Sequence, residues 1–324
     1  MRIRILLAIA VLTLGVNVAS APSVSAAPTS AKSYYVQGYD LNWAYQQGCA
    51  LGTEDANTSG TQTHVVVLDF GGLYQSGSTW KFTVWAGTDI TLASAGSMVY
   101  QFGRGYWSCT IGDSTSTVYI GIGTKNDIGS ITYSAGNALS QQARATWNSL
   151  QASGYTQAYA IGANDFEDWG RTGSAATALN SNSRAWMDGY NAYTSKVFFV
   201  NYGSASGCPT SSVPSANSCN PGLTADTIWY VSWSGVAYPL PEIYATSGAN
   251  ASQWKNLSIY SVNKGSGKFF FKGVMTQYGA CSQRGGCSGT NNTPTAGWNQ
   301  LNTSVNSDSR TVTTPGPPTD IYWS

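Results

Sequence analysis

Short apolar runs alternate along the chain with segments that have a helical period. The runs are rich in β-branched and aromatic residues, and each ends in polar residues or glycine. They cover residues 34–40, 64–70, 117–123, 157–163, 196–202, 227–233 and 268–276. Most are apolar almost throughout, which is typical of strands buried on both faces of a parallel sheet. An eighth candidate, residues 320–323, follows the proline-rich stretch 315–318.

Between these runs, apolar residues recur every three or four positions. One stripe starts at Leu92 and ends near Tyr106, a second runs from Leu139 to Leu150 and is stopped by Gly154, and shorter ones begin at Trp186, Trp254 and Trp298. Strands that alternate with helices at this spacing predict parallel βαβ units. We therefore expect one α/β domain over residues 34–324, a (β/α)8 TIM-barrel-like fold with disulfide-tied loops.

An open doubly wound sheet is the alternative architecture. Such sheets usually carry a nucleotide-binding turn with three glycines. The closest candidate, Gly121-Ile122-Gly123-Thr124-Lys125-Asn126, lacks the third glycine. The barrel is therefore the preferred prediction.

The first 26 residues have the pattern of an export signal. Arg2 and Arg4 precede an apolar stretch at 5–18, and Val24-Ser25-Ala26 forms a small-residue cleavage site. Cleavage after Ala26 leaves 298 residues, of which 27–33 form a short leader. Because no later run approaches the roughly 20 apolar residues of a membrane span, we expect a secreted, extracellular protein without membrane insertion.

The six cysteines fit an oxidising compartment. Of the roughly 15 possible pairings, the local one joins Cys208 to Cys219 and Cys281 to Cys287, which leaves Cys49 with Cys109. The Cys208–Cys219 bridge would pin the long polar loop 203–226, either as a wall of a cleft or as an inert excursion. With a single histidine and no zinc or haem spacing, we expect neither a metal nor a cofactor.

The chain is unusually poor in charge and rich in aromatic residues. Charged residues make up 10% and aromatic residues 13%. Removing Arg2 and Arg4 leaves 14 basic and 15 acidic residues, a net charge of −1. A chain with so little net charge is not expected to bind nucleic acid or anionic lipid through electrostatic attraction. The composition fits a monomer that binds a neutral carbohydrate polymer. It fits a secreted protein without a ligand equally well.

Several acidic residues lie at the ends of the predicted strands, where barrel enzymes place their active sites. Asp40 ends the first run, Asp69 the second, and Asp127 follows the third, while Asp165 and Glu167 follow the fourth. Side chains alternate along a strand, so Asp165 and Glu167 share a face if the strand continues. Two carboxyl groups on one face raise each other's pKa, which favours one protonated acid beside one charged partner.

The motifs Gly38-Tyr39-Asp40-Leu41-Asn42-Trp43 and Asp165-Phe166-Glu167 resemble those of glycoside hydrolase family 25 lysozymes. Those barrels carry Gly-x-Asp near the N-terminus and Asp-x-Glu after the fourth strand. The segment Trp229-Tyr230-Val231-Ser232-Trp233 is similar to their aromatic sixth strand, although the acidic residue of the family is missing from it. The resemblance implies a secreted, sugar-cleaving barrel.

The leading hypothesis is a glycoside hydrolase that cleaves an extracellular polysaccharide or peptidoglycan by carboxylate acid/base catalysis. Glu167 is the predicted general acid, and Asp165 and Asp40 are its charged partners, with Asp165 kept ionised by hydrogen bonds. The candidate substrate-binding residues are Asp69, Trp43, Trp169, Tyr202, Trp233, Glu242 and Tyr278. Trp85 is a further aromatic near a strand end.

Two other functions remain open at this stage. One is a non-catalytic carbohydrate-binding or cell-surface barrel, and the other is a purely structural secreted protein. For each aromatic candidate, ordinary packing is the alternative interpretation, and for Glu242 it is an exposed turn. His64 begins the second run, far from the predicted site, so it is expected to be structural and the chain lacks a base for a Ser-His-Asp triad.

Overall fold

The computed structural model describes residues 26–126 and 131–324. The predicted export signal, up to residue 25, and Asp127 lie outside these ranges. Within them, no helix has the length and apolar character needed to cross a membrane.

Strands and helices alternate through most of the described chain. The strands are β1 (Ala31–Tyr35), β2 (Thr63–Asp69), β3 (Gly72–Ser76), β4 (Thr79–Thr83), β5 (Asp89–Thr91), β6 (Thr117–Lys125), β7 (Ala158–Asp165), β8 (Phe199–Asn201), β9 (Cys219–Asn220), β10 (Leu223–Thr224), β11 (Ala237–Pro239), β12 (Val274–Thr276) and β13 (Pro318–Trp323). The helices are α1 (Leu41–Ala56), α2 (Leu92–Cys109), α3 (Tyr133–Ala152), α4 (Gly173–Ala192), α5 (Ala225–Trp233), α6 (Ala249–Asn263), α7 (Tyr278–Gln283) and α8 (Pro294–Asn306).

Eight strands form one curled parallel sheet. Their order is β11-β8-β7-β6-β2-β1-β13-β12, and all neighbours pair in parallel. Beyond β11, Glu242 bridges in parallel to Met275 of β12. The Met275 N–H donates to the Pro241 carbonyl, and the Ile243 N–H donates to the Met275 carbonyl, both at 2.9 Å. The sheet therefore curls until residues next to one edge hydrogen-bond to the other edge.

Strand β2 shows why the apolar runs are continuous. Val65 and Val67 belong to a core cluster inside the curled sheet, whereas Val66 and Leu68 belong to the cluster between the sheet and the helices. Both faces of the strand are therefore buried, and apolar residues are needed at successive positions rather than at every second one. The mixed α/β class and the buried parallel sheet predicted from the sequence are confirmed.

The predicted strand at 227–233 is wrong, because these residues form helix α5. Thr224 begins it by accepting a hydrogen bond from the Thr227 N–H. Ala225, Ile228 and Val231, spaced three apart, face the core. A short continuous apolar run fits either a buried strand or a buried helix, so its pattern could not separate the two. The sixth strand of the curled sheet is instead β11.

Helix α1 and a small antiparallel sheet have no counterpart in the prediction. Helix α1 begins immediately after Asp40, and β1 ends at Tyr35 rather than at Asp40 as expected. Strands β3, β4 and β5 form a separate antiparallel sheet between β2 and α2. The chain turns back after β4 and brings Trp85 to the mouth of the curled sheet, where it contacts Tyr35.

All three predicted disulfides are present: Cys49–Cys109, Cys208–Cys219 and Cys281–Cys287. The first joins α1 to α2, which approach so closely that a Cβ on Gly48 would lie 1.9 Å from the Phe102 carbonyl oxygen. No side chain fits there, and glycine is therefore required for this helix contact.

His64 is buried at the start of β2, consistent with its predicted structural role. Its Nε2 lies 2.9 Å from Asp55 Oδ1, and the Tyr106 hydroxyl donates to Asp55 Oδ2 at 2.7 Å. The network ties α1, α2 and β2 together at the end of the sheet where β2 begins.

Candidate active site

Three carboxyl groups meet at the C-terminal ends of the parallel strands. Asp165 is the last residue of β7, Glu167 lies two residues further on, and Glu242 follows β11. One oxygen of each lies within 4.8 Å of one oxygen of each of the others. Asp165 is only 5% exposed and Glu242 7%, while Glu167 is half-buried.

The sheet order explains this meeting. Strands β7 and β11 both flank β8, and parallel strands end at the same edge. Asn126, just beyond β6, holds the backbone of Glu167 from both sides: its Nδ2 donates to the Glu167 carbonyl at 2.8 Å, and its Oδ1 accepts from the Glu167 N–H at 2.9 Å. The same Oδ1 accepts from Trp169 Nε1 at 2.6 Å. Asn126 therefore sets the positions of two candidate residues, a role the sequence did not reveal.

Burial dominates the electrostatics of Asp165. It raises the pKa of this carboxyl well above its usual range, and the nearby charges of Glu167 and Asp69 raise the pKa further, while Lys125 opposes them. Within the described residues Asp165 Oδ1 accepts no hydrogen bond. The expectation that hydrogen bonds keep Asp165 ionised is therefore wrong, because burial raises its pKa and no described group donates a hydrogen bond to this oxygen.

Glu167 and Glu242 behave as a pair. Burial raises the pKa of both, and for Glu242 the charge of Glu167 raises it further. Interaction with the Glu242 carboxyl group partly lowers the pKa of Glu167. The Tyr244 hydroxyl partly offsets the effect of burial on Glu242. The two carboxyl groups therefore titrate as a pair, because ionising one of them raises the pKa of the other.

Asp69 and Tyr202 lie beneath this cluster. Asp69 ends β2 and is completely buried, and burial raises its pKa to about 6 although the Gly71 N–H donates to Oδ1 at 2.8 Å. The buried Tyr202 hydroxyl donates to the Thr124 carbonyl at 3.0 Å. Burial and the surrounding carboxyl groups raise the pKa of Tyr35, Tyr202 and Tyr244 well above its usual range, so these hydroxyls stay protonated.

The carboxyl groups open into a cleft of about 430 Å³ with an aromatic wall. Its lining residues are Tyr35, Trp85, Asp165, Glu167, Trp169, Glu242, Tyr244, Gln277, Ala280, Cys281, Arg284, Cys287 and Trp323. Tyr35 stacks on Trp323 with ring centroids 4.5 Å apart and meets Trp85 edge-on at 4.9 Å. Trp169 is 41% exposed, so one aromatic surface is open to a ligand.

A second cavity of about 390 Å³ shares Glu167 and Trp169 with the cleft. Apart from Leu223, its other lining residues are polar or small: Asp168, Gly170, Ser204, Ser206 and Asn220. Most of them belong to the loop bridged by Cys208–Cys219, which Asp168 fastens by accepting the Gly222 N–H at 2.7 Å. The loop is therefore a wall of the groove rather than an inert excursion, and Glu167 lies between the two cavities.

Other predicted residues lie away from the cleft. Asp40 is exposed and caps α1, accepting the N–H groups of Asn42 and Trp43 at 2.9 Å. Trp43 packs edge-on against Tyr34 at 5.0 Å. Trp233 packs on Phe269 and donates to the Ser266 carbonyl at 2.9 Å. These residues stabilise α1 and α5 and do not line the cleft.

Tyr278 lies next to a lining residue but is not one itself. Its ring is 42% exposed, and its backbone N–H donates to Asp320 Oδ1 at 2.8 Å. Glu242, by contrast, is a central member of the cluster and not an exposed turn residue. Sequence reasoning missed Tyr35, Tyr244, Arg284 and Trp323 as lining residues. The available signal was an aromatic residue at or just beyond a strand end, and Tyr35 and Trp323 both have it.

The three carboxylates could also offer oxygen ligands to a hard divalent cation. Protonation competes with cation binding, because a ligating carboxyl group must be deprotonated. The raised pKa values of Asp165, Glu167 and Glu242 therefore favour a proton-transfer site over a metal centre.

Searches with protein-family models and among curated proteins find no match to this chain. The function proposed below therefore rests on the geometry of the carboxylate cleft.

Proposed function

We propose that the protein is a secreted glycoside hydrolase that acts on an extracellular polysaccharide or peptidoglycan. The observation that carries the proposal is the meeting of Asp165, Glu167 and Glu242 within 4.8 Å in an aromatic-walled cleft at the C-terminal strand ends. Glycoside hydrolysis needs a proton donor beside a charged carboxylate, and the neighbouring Glu167 and Glu242, whose pKa values are raised by burial, fit these two roles. Three disulfides suit an extracellular location.

The fold we infer is a closed (β/α)8 barrel. The hydrogen bonds between the segment after β11 and Met275 of β12 support closure, since they join the two edges of the curled sheet. In such barrels the site lies at the C-terminal end of the strands, which is where the three carboxyl groups are found.

Glu167 is the proposed general acid, because it is the least buried of the three and lies between the two cavities. It donates its proton to the glycosidic oxygen as that bond breaks. Glu242 reacts in its ionised form: it attacks the anomeric carbon and forms a glycosyl ester. Glu167 then takes a proton from water, whose oxygen attacks the same carbon and releases Glu242. Carboxyl groups about 5–5.5 Å apart are typical of this two-step, retaining route, and the close approach of the two groups, with one oxygen of each within 4.8 Å of one oxygen of the other, favours it here.

The position of Glu242 also supports the resemblance to glycoside hydrolase family 25 lysozymes. The acidic residue of the family is missing from 229–233, but this segment is helix α5 and not the sixth strand. The sixth strand of the curled sheet is β11, and Glu242 follows it. Asp40 departs from the family pattern, because it caps α1 and does not line the cleft. The proposed chemistry therefore uses Glu167, Glu242 and Asp165 without Asp40.

The test is to incubate the purified protein with a panel of polysaccharides and cell walls and to measure new reducing ends. Hydrolysis of one polymer is expected, with a loss of at least ~10²-fold in Glu167→Gln, the scale of general acid catalysis. Glu54→Gln, on the exposed side of α1, is the matched control and keeps full activity. Binding to a polymer without release of reducing ends would contradict the proposal and favour a non-catalytic carbohydrate-binding barrel.

A further inference from the structure

Arg284 lies at the rim of the cleft on a short, constrained segment. It follows α7 within the loop closed by Cys281–Cys287, and both cysteines line the cleft with it. Its guanidinium carbon lies 3.4 Å from the centre of the Trp323 ring. Since Tyr35 stacks on the same ring at 4.5 Å, Trp323 is held between the tyrosine and the guanidinium.

Backbone contacts keep this stack in register. Gln283 Nε2 donates to the Trp323 carbonyl at 2.9 Å, and the Trp323 N–H donates back to Gln283 Oε1 at 2.7 Å. The Arg284 N–H donates to the Cys281 carbonyl at 3.1 Å. The guanidinium is therefore positioned by the fold before any ligand arrives, which reduces the entropy lost on binding.

The stack also changes the role of Trp323. With Tyr35 on one side and Arg284 on the other, its ring has no open face for a sugar. Among the described residues, the Arg284 guanidinium has no hydrogen-bonding or ion-pairing partner besides its contact with the ring. Its N–H groups thus remain available at the cleft, and a planar guanidinium matches a carboxylate or sulfate with two parallel hydrogen bonds.

We propose that Arg284 is a specificity residue that binds an oxyanion substituent, a carboxylate or a sulfate ester, on a sugar seated in the cleft. This inference rests on the proposed function, because it assigns the substrate to the acidic polysaccharides. The remaining cleft surface is aromatic or amide, as in Trp85, Trp169 and Gln277, and suits the uncharged parts of the sugar.

The experiment compares three polymers: a polyuronate, the same polymer with its carboxyl groups reduced to alcohols, and a sulfated polysaccharide. The release of reducing ends gives kcat and KM for each polymer. Binding is measured independently of catalysis: tryptophan fluorescence gives the Kd of matching oligosaccharides for Glu167→Gln and for the double variant Glu167→Gln/Arg284→Gln. Arg284→Gln is expected to raise KM and Kd roughly 10-fold or more for one acidic ligand, the scale of a charged hydrogen bond. For the neutral ligand neither value changes.

Arg104→Gln is the matched control, because Arg104 is also exposed and lies over an aromatic ring, that of Tyr45 on the outer helices. It is expected to leave every value unchanged. Equal effects of Arg284→Gln on acidic and neutral ligands, or none on either, would overturn the inference while leaving the proposed hydrolysis intact. Conversely, Arg284-dependent binding of an acidic oligosaccharide without hydrolysis of any polymer would support this inference and reject the enzyme.

Discussion

The carboxyl groups of Glu167 and Glu242 lie within 4.8 Å of each other, although one follows β7 and the other follows β11. Strand β8 separates the two strands in the sheet, so curvature of the sheet and the parallel direction of its strands bring these residues together. Burial raises the pKa of both groups and makes their simultaneous ionisation costly. The proposed chemistry follows from this relationship.

The separation predicts the stereochemical outcome. A retaining pair leaves the anomeric configuration of the substrate in the first product, because two displacements occur at the same carbon. Proton NMR of a freshly started hydrolysis is expected to show that anomer before mutarotation. An inverted first product would assign Glu242 the role of a base that activates water, and would contradict the nucleophile assignment.

The pH dependence of activity should report the carboxyl pair. Burial raises the pKa of Glu167 above its ordinary value of 4.5, so activity is expected to fall as the pH rises through this raised value and the acid loses its proton. The limb on the alkaline side should disappear from the residual activity of Glu167→Gln. The control is Asp188→Asn, on the exposed side of α4. Its activity should have the same pH dependence as that of the wild type.

Asp69→Asn is expected to stabilise the protein near neutral pH. The pKa of Asp69 is raised from 3.8 to about 6 in the folded state. The folded state therefore holds a proton that the unfolded state loses, and stability falls as pH rises from about 4 to about 6. A shift of this size corresponds to roughly 3 kcal/mol.

Asparagine keeps the acceptor for the Gly71 N–H and cannot ionise, so it should remove this part of the pH dependence. Denaturant titrations of the two proteins at pH 4 and pH 7 provide the measurement. If wild type and Asp69→Asn differ equally at both pH values, Asp69 does not titrate in this window.

Trp169→Ala should weaken substrate binding without damaging the core. Trp169 is 41% exposed and lines both cavities, so its ring is the open sugar platform. Loss of a stacked aromatic contact worth about 0.5–1.5 kcal/mol raises KM roughly 2- to 10-fold. Trp107→Ala, equally exposed at 41% but on the outer side of α2, is the matched control. A normal KM in Trp169→Ala would place the substrate elsewhere.

The disulfides should differ in their contribution to stability. Cys49–Cys109 closes a span of 60 residues and Cys281–Cys287 a span of 6. In the chain-entropy model, replacing the first pair by serine costs roughly 4 kcal/mol and the second roughly 2 kcal/mol. Chemical denaturation of the two double variants measures the difference. The second variant should also lose activity, because both cysteines line the cleft. Equal losses of stability would argue against the entropic account.

The cleft residues divide into those that local pattern identified and those that it could not. Asp165 and Glu167 were found because an apolar run was followed by acids two residues apart, although β7 ends at Asp165 and Glu167 lies beyond the strand. Arg284 carries no local signal, and its contact with Trp323 depends on α7 packing against β13. Asp40 had a strong local signal, yet the same acidic side chain serves as a helix cap, which sequence pattern did not distinguish from a catalytic role.

The sequence by itself determined the features that depend on near neighbours. Apolar periodicity specified β2, β6 and β7 and helices α2 and α3, and proximity along the chain specified the disulfide pairs. The tertiary structure decided whether 227–233 became strand or helix, because a short apolar run is buried equally well in either form. It also decided the partners of Glu242, since the order of strands in the sheet determines which chain segments end side by side, and local pattern does not encode that order.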